Sequence, residues 1–331
     1  WFRNDRAGNW SAFTGPPVGS VFALADMDRD GDRDVAAVSG GSSRIEWLEN
    51  AAGDGSSWTV RTVSSGDVAV HSLVVADLDG DGWLDMASTQ FFENFASTVR
   101  WHRHPGTRDG AWVHTRILGG LQPPGLTSAA DVDGDGDADL ILTQGYNGSP
   151  QYFSWIENQA RDASRWRLNA QPAPPNGWAA QAGAADLDGD GDLDLYCSFD
   201  LDGAPQTTET LAVYLNRKPH RSARFDTTVP VMTVTNPNAI FPTDFDRDGK
   251  VDLVVANGGG AVLGMNGAPT FNTRQLVTAE SFSLQGIGDV DGDSLTDLLF
   301  TRGQNFWLVT GWLQGTTTGL FGPETLHVSF G

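Results

Sequence analysis

DLDGDGDLD, residues 186–194, lies between two short apolar stretches, AGAA before it and LYCSF after it. Its first, third, fifth and ninth positions carry carboxylates, and glycine stands at the sixth. The same aspartates recur in DMDRDGDRD at 26–34, DLDGDGWLD at 77–85, DVDGDGDAD at 131–139, DFDRDGKVD at 244–252 and DVDGDSLTD at 289–297. The six strings start 51, 54, 55, 58 and 45 residues apart. A period of this size belongs to a propeller or solenoid, in which each unit buries its face against the next. Separate domains do not fit, because no unit is bounded by linkers on both sides.

Around each string the texture repeats. An apolar stretch precedes it (VFALA, LVVA, TSAA, AGAA, IFPT, GIG) and another follows (VAAVS, MASTQ, LILTQ, LYCSF, LVVAN, LLFTR). Both read as strands buried on two faces. A third, alternating strand carries an aromatic, as in IEWLEN, VRWHRH, FSWIEN, AVYLN and NFWLV, and a fourth opens on Trp58, Trp112, Trp166, Phe225, Phe271 or Phe321. Four strands per unit predict an all-β fold, a β-propeller of four-stranded blades forming one domain over residues 1–331. Ala, Gly and Ser in the first two strands suit crowding near a central axis. WFRN at 1–4 and Trp10 repeat the third- and fourth-strand patterns, giving seven outer pairs against six inner ones. The preferred expectation is seven blades, one of them incomplete or completed by residues beyond this chain, in a segment of a longer protein. The alternative is six blades with an N-terminal appendage.

Calcium takes six to eight oxygen ligands, and aspartates at alternate positions of a tight loop turn several carboxylates toward one point. The spacing predicts side-chain ligands at Asp26, Asp28, Asp30 and Asp34; Asp77, Asp79, Asp81 and Asp85; Asp131, Asp133, Asp135 and Asp139; Asp186, Asp188, Asp190 and Asp194; Asp244, Asp246, Asp248 and Asp252; and Asp289, Asp291, Asp293 and Asp297. The seventh residue of each loop, Asp32, Trp83, Asp137, Asp192, Lys250 or Leu295, would add its backbone carbonyl. Glycine at the sixth position permits the positive φ that wraps the chain. Ser294 replaces it in the last loop, which is expected to be distorted or weaker. A helix–loop–helix calcium site is excluded, because the twelfth positions (Ala37, Ser88, Leu142, Cys197, Val255, Phe300) carry no glutamate and fall in strands.

Charge agrees with that reading. The net charge is −21, with 42 acids against 21 Lys plus Arg, and four aspartates in each of six loops account for 24 of the acids. The remainder of the chain is close to neutral, so the acidity points to cations and away from nucleic acid. About six structural Ca²⁺ are expected.

Each such loop before and after a short apolar strand resembles the FG-GAP or VCBS repeat, and the resemblance spans essentially the whole chain. DLDGDGWLD, DLDGDGDLD, IEWLEN and FSWIEN carry it. It implies a propeller with calcium between the first and second strands of each blade. It also implies an extracellular or secreted setting, since members include integrin α-subunit headpieces, lectins and propellers of polysaccharide lyases. Integrin-like members use the opposite face for ligands. There the long turns 89–98, 143–152 and 198–210 offer Phe91, Phe92, Tyr146, Asn147 and Asp202, with Gln90 and Gln144 beside them, a mixture suited to sugar rings or a protein surface.

The expected role is binding, adhesion or surface structure toward glycan or extracellular protein, without catalysis. The alternatives are a lectin or a lyase of acidic glycans, for which His71 is the one candidate residue. Self-assembly through the incomplete blade is a further possibility. The HRH run at 102–104 reads as solvated surface, and Cys197 as a buried, inert thiol. Asn9 and Asn147 open N-glycosylation triplets. No apolar run approaches the ~20 residues of a membrane helix, and residues 1–10 show no signal-peptide pattern.

Overall fold

The computed structural model describes residues 2–4, 10–12, 21–39, 41–67, 69–90, 97–121, 124–144, 152–171, 178–200, 209–217, 223–225, 229–235, 237–257, 260–266, 271–278, 282–289, 294–304, 307–315 and 321–329. It is all-β and is built as a β-propeller. Strands β1 (Phe2–Asn4) and β2 (Trp10–Ala12) pair as a two-stranded sheet. Six four-stranded antiparallel sheets follow. The first holds β3 (Phe22–Ala25), β4 (Asp34–Ser39), β5 (Arg44–Glu49) and β6 (Thr59–Ser65), and the second β7 (Val70–Ala76), β8 (Asp85–Gln90), β9 (Ser97–Arg103) and β10 (Val113–Leu121). The third holds β11 (Pro124–Ala130), β12 (Asp139–Gln144), β13 (Tyr152–Asn158) and β14 (Trp166–Gln171), and the fourth β15 (Trp178–Ala185), β16 (Asp194–Asp200), β17 (Glu209–Tyr214) and β18 (Val229–Val234). The fifth holds β19 (Pro237–Thr243), β20 (Asp252–Asn257), β21 (Gly260–Asn266) and β22 (Phe271–Thr278), and the sixth β23 (Phe282–Gly288), β24 (Asp297–Gln304), β25 (Trp307–Gly315) and β26 (Phe321–Ser329). Strand order within each sheet follows the sequence, so each is a meander.

Consecutive sheets pack through their first strands, β3 on β7, β7 on β11, β11 on β15, β15 on β19 and β19 on β23. Five apolar clusters fill the five joints between the six sheets. The period-two rule assigns each residue to a joint. In β12, Leu140 and Leu142 face the second sheet while Ile141 faces the fourth. In β16, Leu195, Cys197 and Phe199 face the third sheet and Tyr196 faces the fifth. That two-sided burial explains the unbroken apolar runs after each loop. Cys197 is fully buried, as expected.

The third-strand aromatics Trp47, Trp101 and Trp155 all pack toward the following sheet. Tyr214 does not share their place. It sits one residue nearer the strand end and therefore points back to the third sheet, against Phe153 at 5.4 Å and Phe199 at 6.4 Å between ring centroids. Fourth strands such as β10 and β14 are largely exposed, and β8 is buried throughout, so the sheets run from a crowded interior to a solvated rim. Register shifts interrupt five of the six first–second strand pairs, a bulge that bends the inner strand.

Small residues in the inner strands make room for neighbours. Gly183 on β15 faces Tyr196 across the pair, and a Cβ there would lie 2.6 Å from the tyrosine Cζ. We therefore expect Gly183→Ala to destabilise the fold by about 1–3 kcal/mol through overpacking. Urea unfolding should show a lower midpoint at unchanged slope.

Candidate metal centres

Each aspartate string lies between first and second strand, and among the described residues one backbone plan recurs from loop to loop. The first aspartate accepts the amide of the sixth residue: Gly31 onto Asp26 at 3.1 Å, Gly82 onto Asp77 at 2.8 Å, Gly136 onto Asp131 at 2.9 Å, Gly191 onto Asp186 at 3.0 Å, Gly249 onto Asp244 at 3.1 Å and Ser294 onto Asp289 at 2.9 Å. Third and fifth aspartates accept amides two residues on, as in Asp81 onto Asp79 and Trp83 onto Asp81, the self-bonding that suits Asp to turns. The sixth residue is left-handed, with φ between 86° and 96° at the five glycines and 67° at Ser294. Ser294 thus keeps the left-handed turn and the hydrogen bond that glycine makes in the other loops, while residues 290–293 lie outside the described residues. The fourth residue is left-handed too, at Gly80, Gly134 and Gly189, and at Arg29 and Arg247 despite their side chains.

The ninth aspartate has a second task. Asp34, Asp85, Asp139, Asp194, Asp252 and Asp297 are each at most 2% exposed. Among the described contacts both oxygens of Asp34, Asp85, Asp139, Asp194 and Asp252 accept backbone amides. Oδ2 takes the loop's second residue (Met27, Leu78, Val132, Leu187, Phe245), and Oδ1 takes the residue that closes the third strand or follows it (Asn50, His104, Asn158, Asn216, Asn266). One carboxylate therefore staples three strand ends.

Carboxylate oxygens converge in trios, from the first, third and ninth aspartates in four loops and the first, third and fifth in another, out of the four per loop that the spacing proposed. Carboxylate oxygens of Asp26, Asp28 and Asp34, of Asp77, Asp79 and Asp85, of Asp131, Asp133 and Asp139, and of Asp186, Asp188 and Asp194 lie within 4.8 Å of one another; in the fifth loop the trio is Asp244, Asp246 and Asp248. Oδ1 of Asp26, Asp77 and Asp244 is buried without a hydrogen-bond partner, as is Oδ1 of Asp188. Burial, reinforced by neighbouring carboxylates, pushes Asp133 up to about 6; burial likewise raises Asp85 to about 7 and Asp139 to about 8 against the pull of their amide donors. Clustered oxygens, unpaired and resisting ionisation, fit a hard divalent cation. Lys250 reaches Asp248 at 3.5 Å, and Leu295 is partly buried. Asp291 and Asp293 lie outside the described residues.

The residue that meets the ninth aspartate also joins blades. The Nδ2 of Asn158 donates to Leu78 O of the preceding loop at 2.7 Å, Asn216 to Val132 O at 3.4 Å, and Asn266 to Leu187 O. His104 stands in this place in the second sheet. Its ring stacks on Trp83 at 4.8 Å, with Trp112 edge-on at 4.8 Å and the Arg29 guanidinium 4.4 Å over the other face of Trp83. Burial holds His104 neutral, down to about 4.

This corrects the reading of HRH as solvated surface. His102 is fully buried and His104 nearly so. His102 Nδ1 lies 2.9 Å from His114 Nδ1, and its Nε2 lies 2.8 Å from Ser88 Oγ. Burial and the neighbouring His114 press His102 down to about 3, and burial lowers His114. Nothing in the sequence pattern separates this register pair of histidines from a polar rim strand.

At the opposite end of the sheets, Gln90 is buried and donates to Asp67 at 2.7 Å, with Arg100 at 3.3 Å and Ser64 at 2.5 Å on the same carboxylate. Its amide is committed to this joint and does not serve the ligand face it was expected to join. His71 is exposed on β7. Phe91, Phe92, Tyr146, Asn147, Asp202 and Asn9 lie outside the described residues, as does the side chain of Gln144.

The FG-GAP-like repeat family model matches residues 26–88 and 131–197, so the chain carries FG-GAP-like repeats in these two regions. No curated protein matches the sequence significantly. Among solved structures, an Agrocybe aegerita lectin, described as specifically recognising non-reducing terminal N-acetylglucosamine, is similar at 16% identity and TM-score 0.64, over 97% of this chain and 86% of the lectin. AofleA from Arthrobotrys oligospora aligns at 11% identity and TM-score 0.49 over 93% of this chain and 86% of its own, and a triple mutant of AofleA at 12% and 0.50 over 93% and 85%. At such identities the likeness concerns the fold.

The two titrating sets act in opposite senses. Asp85 and Asp139 sit above their unfolded value of about 3.9, so without a cation their contribution to stability is full below that pH and fades as pH rises through about 7 and about 8. His102 and His114 sit below their unfolded value of about 6.5, so they support the fold above that pH and withdraw support below it. Between pH 6.5 and 8.5 only the carboxylate trend should remain. In chelator, the melting temperature should fall across that window, and a flat profile there would contradict the burial argument.

Proposed function

We propose that this propeller binds glycans outside the cell, with calcium in the aspartate loops stabilising its blades. What carries the glycan reading is a fold likeness over 97% of the chain to a lectin whose structure concerns terminal N-acetylglucosamine. A binding role, without catalysis, agrees with a polar chemistry spent on the fold: Asp67 and Gln90 tie the first sheet to the second, and buried His102 is held by Ser88 and His114 within the second.

The proposed face is the one opposite the aspartate loops, where the segments after Gln90, Gln144 and Asp200 connect second strands to third. Phe91, Phe92 and Tyr146 would stack on sugar rings, and Asn147 and Asp202 would receive or offer hydroxyl hydrogen bonds. Calcium would be held by the first, third, fifth and ninth aspartates and by the seventh carbonyl. When bound it supplies the positive charge that lets crowded carboxylates stay ionised in a folded loop. The orphaned oxygens of Asp26, Asp77 and Asp244 support that assignment.

A glycan array followed by titration calorimetry tests the ligand. Oligosaccharides with terminal N-acetylglucosamine are the first probes. Binding should be lost in Phe91→Ala or Tyr146→Ala with the melting temperature unchanged, whereas silence of the wild type toward every glycan would end the lectin reading.

Calcium is tested separately. At one hundred times its Kd a single site adds about 2.7 kcal/mol to stability, so EDTA should lower the melting temperature by several degrees and calcium should restore it. A transition unmoved by EDTA would remove calcium from the account.

A further inference from the structure

The six aspartate loops share a backbone but not their surroundings. The residue just before the one stapled by the ninth aspartate is Glu49 in the first sheet, Arg103 in the second, Glu157 in the third, Leu215 in the fourth and Met265 in the fifth. In the second sheet its guanidinium enters the loop. Arg103 Nε stands 2.5 Å from Asp79 Oδ2 and Nη2 stands 3.5 Å from Asp81 Oδ2. Asp79 is only 9% exposed, and Oδ2 has no N–H aligned on it, so the contact is an ion pair at the place where a ligand oxygen is wanted.

Two other loops receive a guanidinium on the same third aspartate. Arg108, from the β9–β10 turn of the second sheet, reaches back to Asp28 and, at 3.6 Å, to Asp30 of the first loop, while also meeting Glu49 at 3.2 Å. Arg217 meets Asp188 of the fourth loop at 3.0 Å. The third loop differs. Asp133 has Glu157 as a further carboxylate nearby, and Glu157 is itself paired with Arg167 at 2.5 Å and Asn169 at 3.0 Å. Among the described contacts no cationic side chain pairs with Asp133; the nearby Arg161 acts instead on Asp137, the residue expected to offer its backbone carbonyl and not its side chain.

We propose that Arg103, Arg108 and Arg217 are tethered counter-ions that make the loops unequal, leaving 131–139 as the tight divalent-cation site and 77–85, 26–34 and 186–194 as weak ones. The inference rests on the calcium reading and sharpens it. A guanidinium on a ligand carboxylate must be displaced before that oxygen can coordinate, and its charge repels an incoming ion, whereas the third aspartate of 131–139 carries no guanidinium and keeps its oxygens open to one.

Calcium titrations of the whole chain by calorimetry, with terbium luminescence sensitised through the tryptophans, test it. Wild type should show one tight event followed by weaker ones. Arg103→Leu, which installs the residue type of the fourth sheet, should tighten one weak event about tenfold, most visibly in terbium emission because Trp83 lies in that loop. Arg217→Leu should do the same independently, so that misfolding of one variant does not decide the matter. Asp133→Asn should abolish the tight event alone.

Identical events at all loops, or unchanged affinities in both arginine variants with wild-type calcium binding intact, would overturn the grading and leave calcium standing. Absence of any divalent-cation binding to the wild type would overturn both.

Discussion

The ninth aspartate of each loop opens the second strand with its carboxylate buried, and among the described contacts both oxygens of Asp34, Asp85, Asp139, Asp194 and Asp252 accept backbone amides. One amide belongs to the loop just traversed and the other to the close of the third strand, so the group binds three strand ends that are otherwise linked only by turns. Burying an ionised carboxylate is costly unless donors surround it. Two amides offset only part of that cost, as Asp139 near 8 and Asp85 near 7 indicate. The remaining charge is compounded by the first and third aspartates, which cannot withdraw because their other oxygens are engaged in shaping the turn. A loop of this kind is folded and electrostatically unfinished at the same time, and this is why acidity and architecture cannot be separated in this protein.

The staple also organises the ring between blades. The residue whose amide it holds is asparagine in four of the five cases, and in three of these the side-chain amide donates to the second-position carbonyl of the preceding loop. Order in one loop therefore constrains the next, in addition to the apolar cluster at each joint. Stability in such an array is a sum of unit and nearest-neighbour terms. Here the neighbour term has a polar part located beside the loops and an apolar part along the strands. The two differ in their electrostatics, since only the first lies beside the carboxylate cluster.

Repeat period, strand count per unit and two-faced burial were legible because each imposes a periodic residue pattern; of the four aspartates per loop that the spacing singled out, the first, third and ninth cluster in four loops, and the fifth joins the trio only in 244–252. The staple and the inter-blade bridge were not legible, although asparagine after WLE and WIE at 50 and 158 and again at 216 and 266 was a visible signal. Side chain to backbone bonds across 79 or 80 residues leave no period of their own. Tyr214 misled for a simpler reason, since a shift of one position in a strand reverses the face. His102 misled because an alternating strand at the rim was assumed to be wet on its polar face, whereas β10 covers it and supplies His114 as a partner. The left-handed Arg29 and Arg247 show tertiary demand overriding residue preference at a place where the four sister loops carry glycine.

The joint between the first and second sheets departs from the others in several residues at once, and these departures support one another. Histidine in place of the bridging asparagine cannot repeat the amide bridge, since its Nδ1 accepts from Gly106 at 3.0 Å and its Nε2 is buried without a hydrogen-bond partner. It offers instead a flat neutral face, which is useful only because Trp83 takes the seventh loop position and lies 3° from parallel to it. Trp83 in turn gives Arg29 a surface to cover, so a left-handed arginine in the first loop gains a contact across the joint. Arg108 completes the exchange by crossing the same gap to Asp28 and Glu49. Stacking, cation–π contact and ion pairing replace a single hydrogen bond here, and none of them requires a bound ion to exist. The contacts across this joint therefore hold by aromatic and guanidinium groups of the chain itself, and Arg108, which crosses it, also crowds the carboxylates of Asp28 and Asp30.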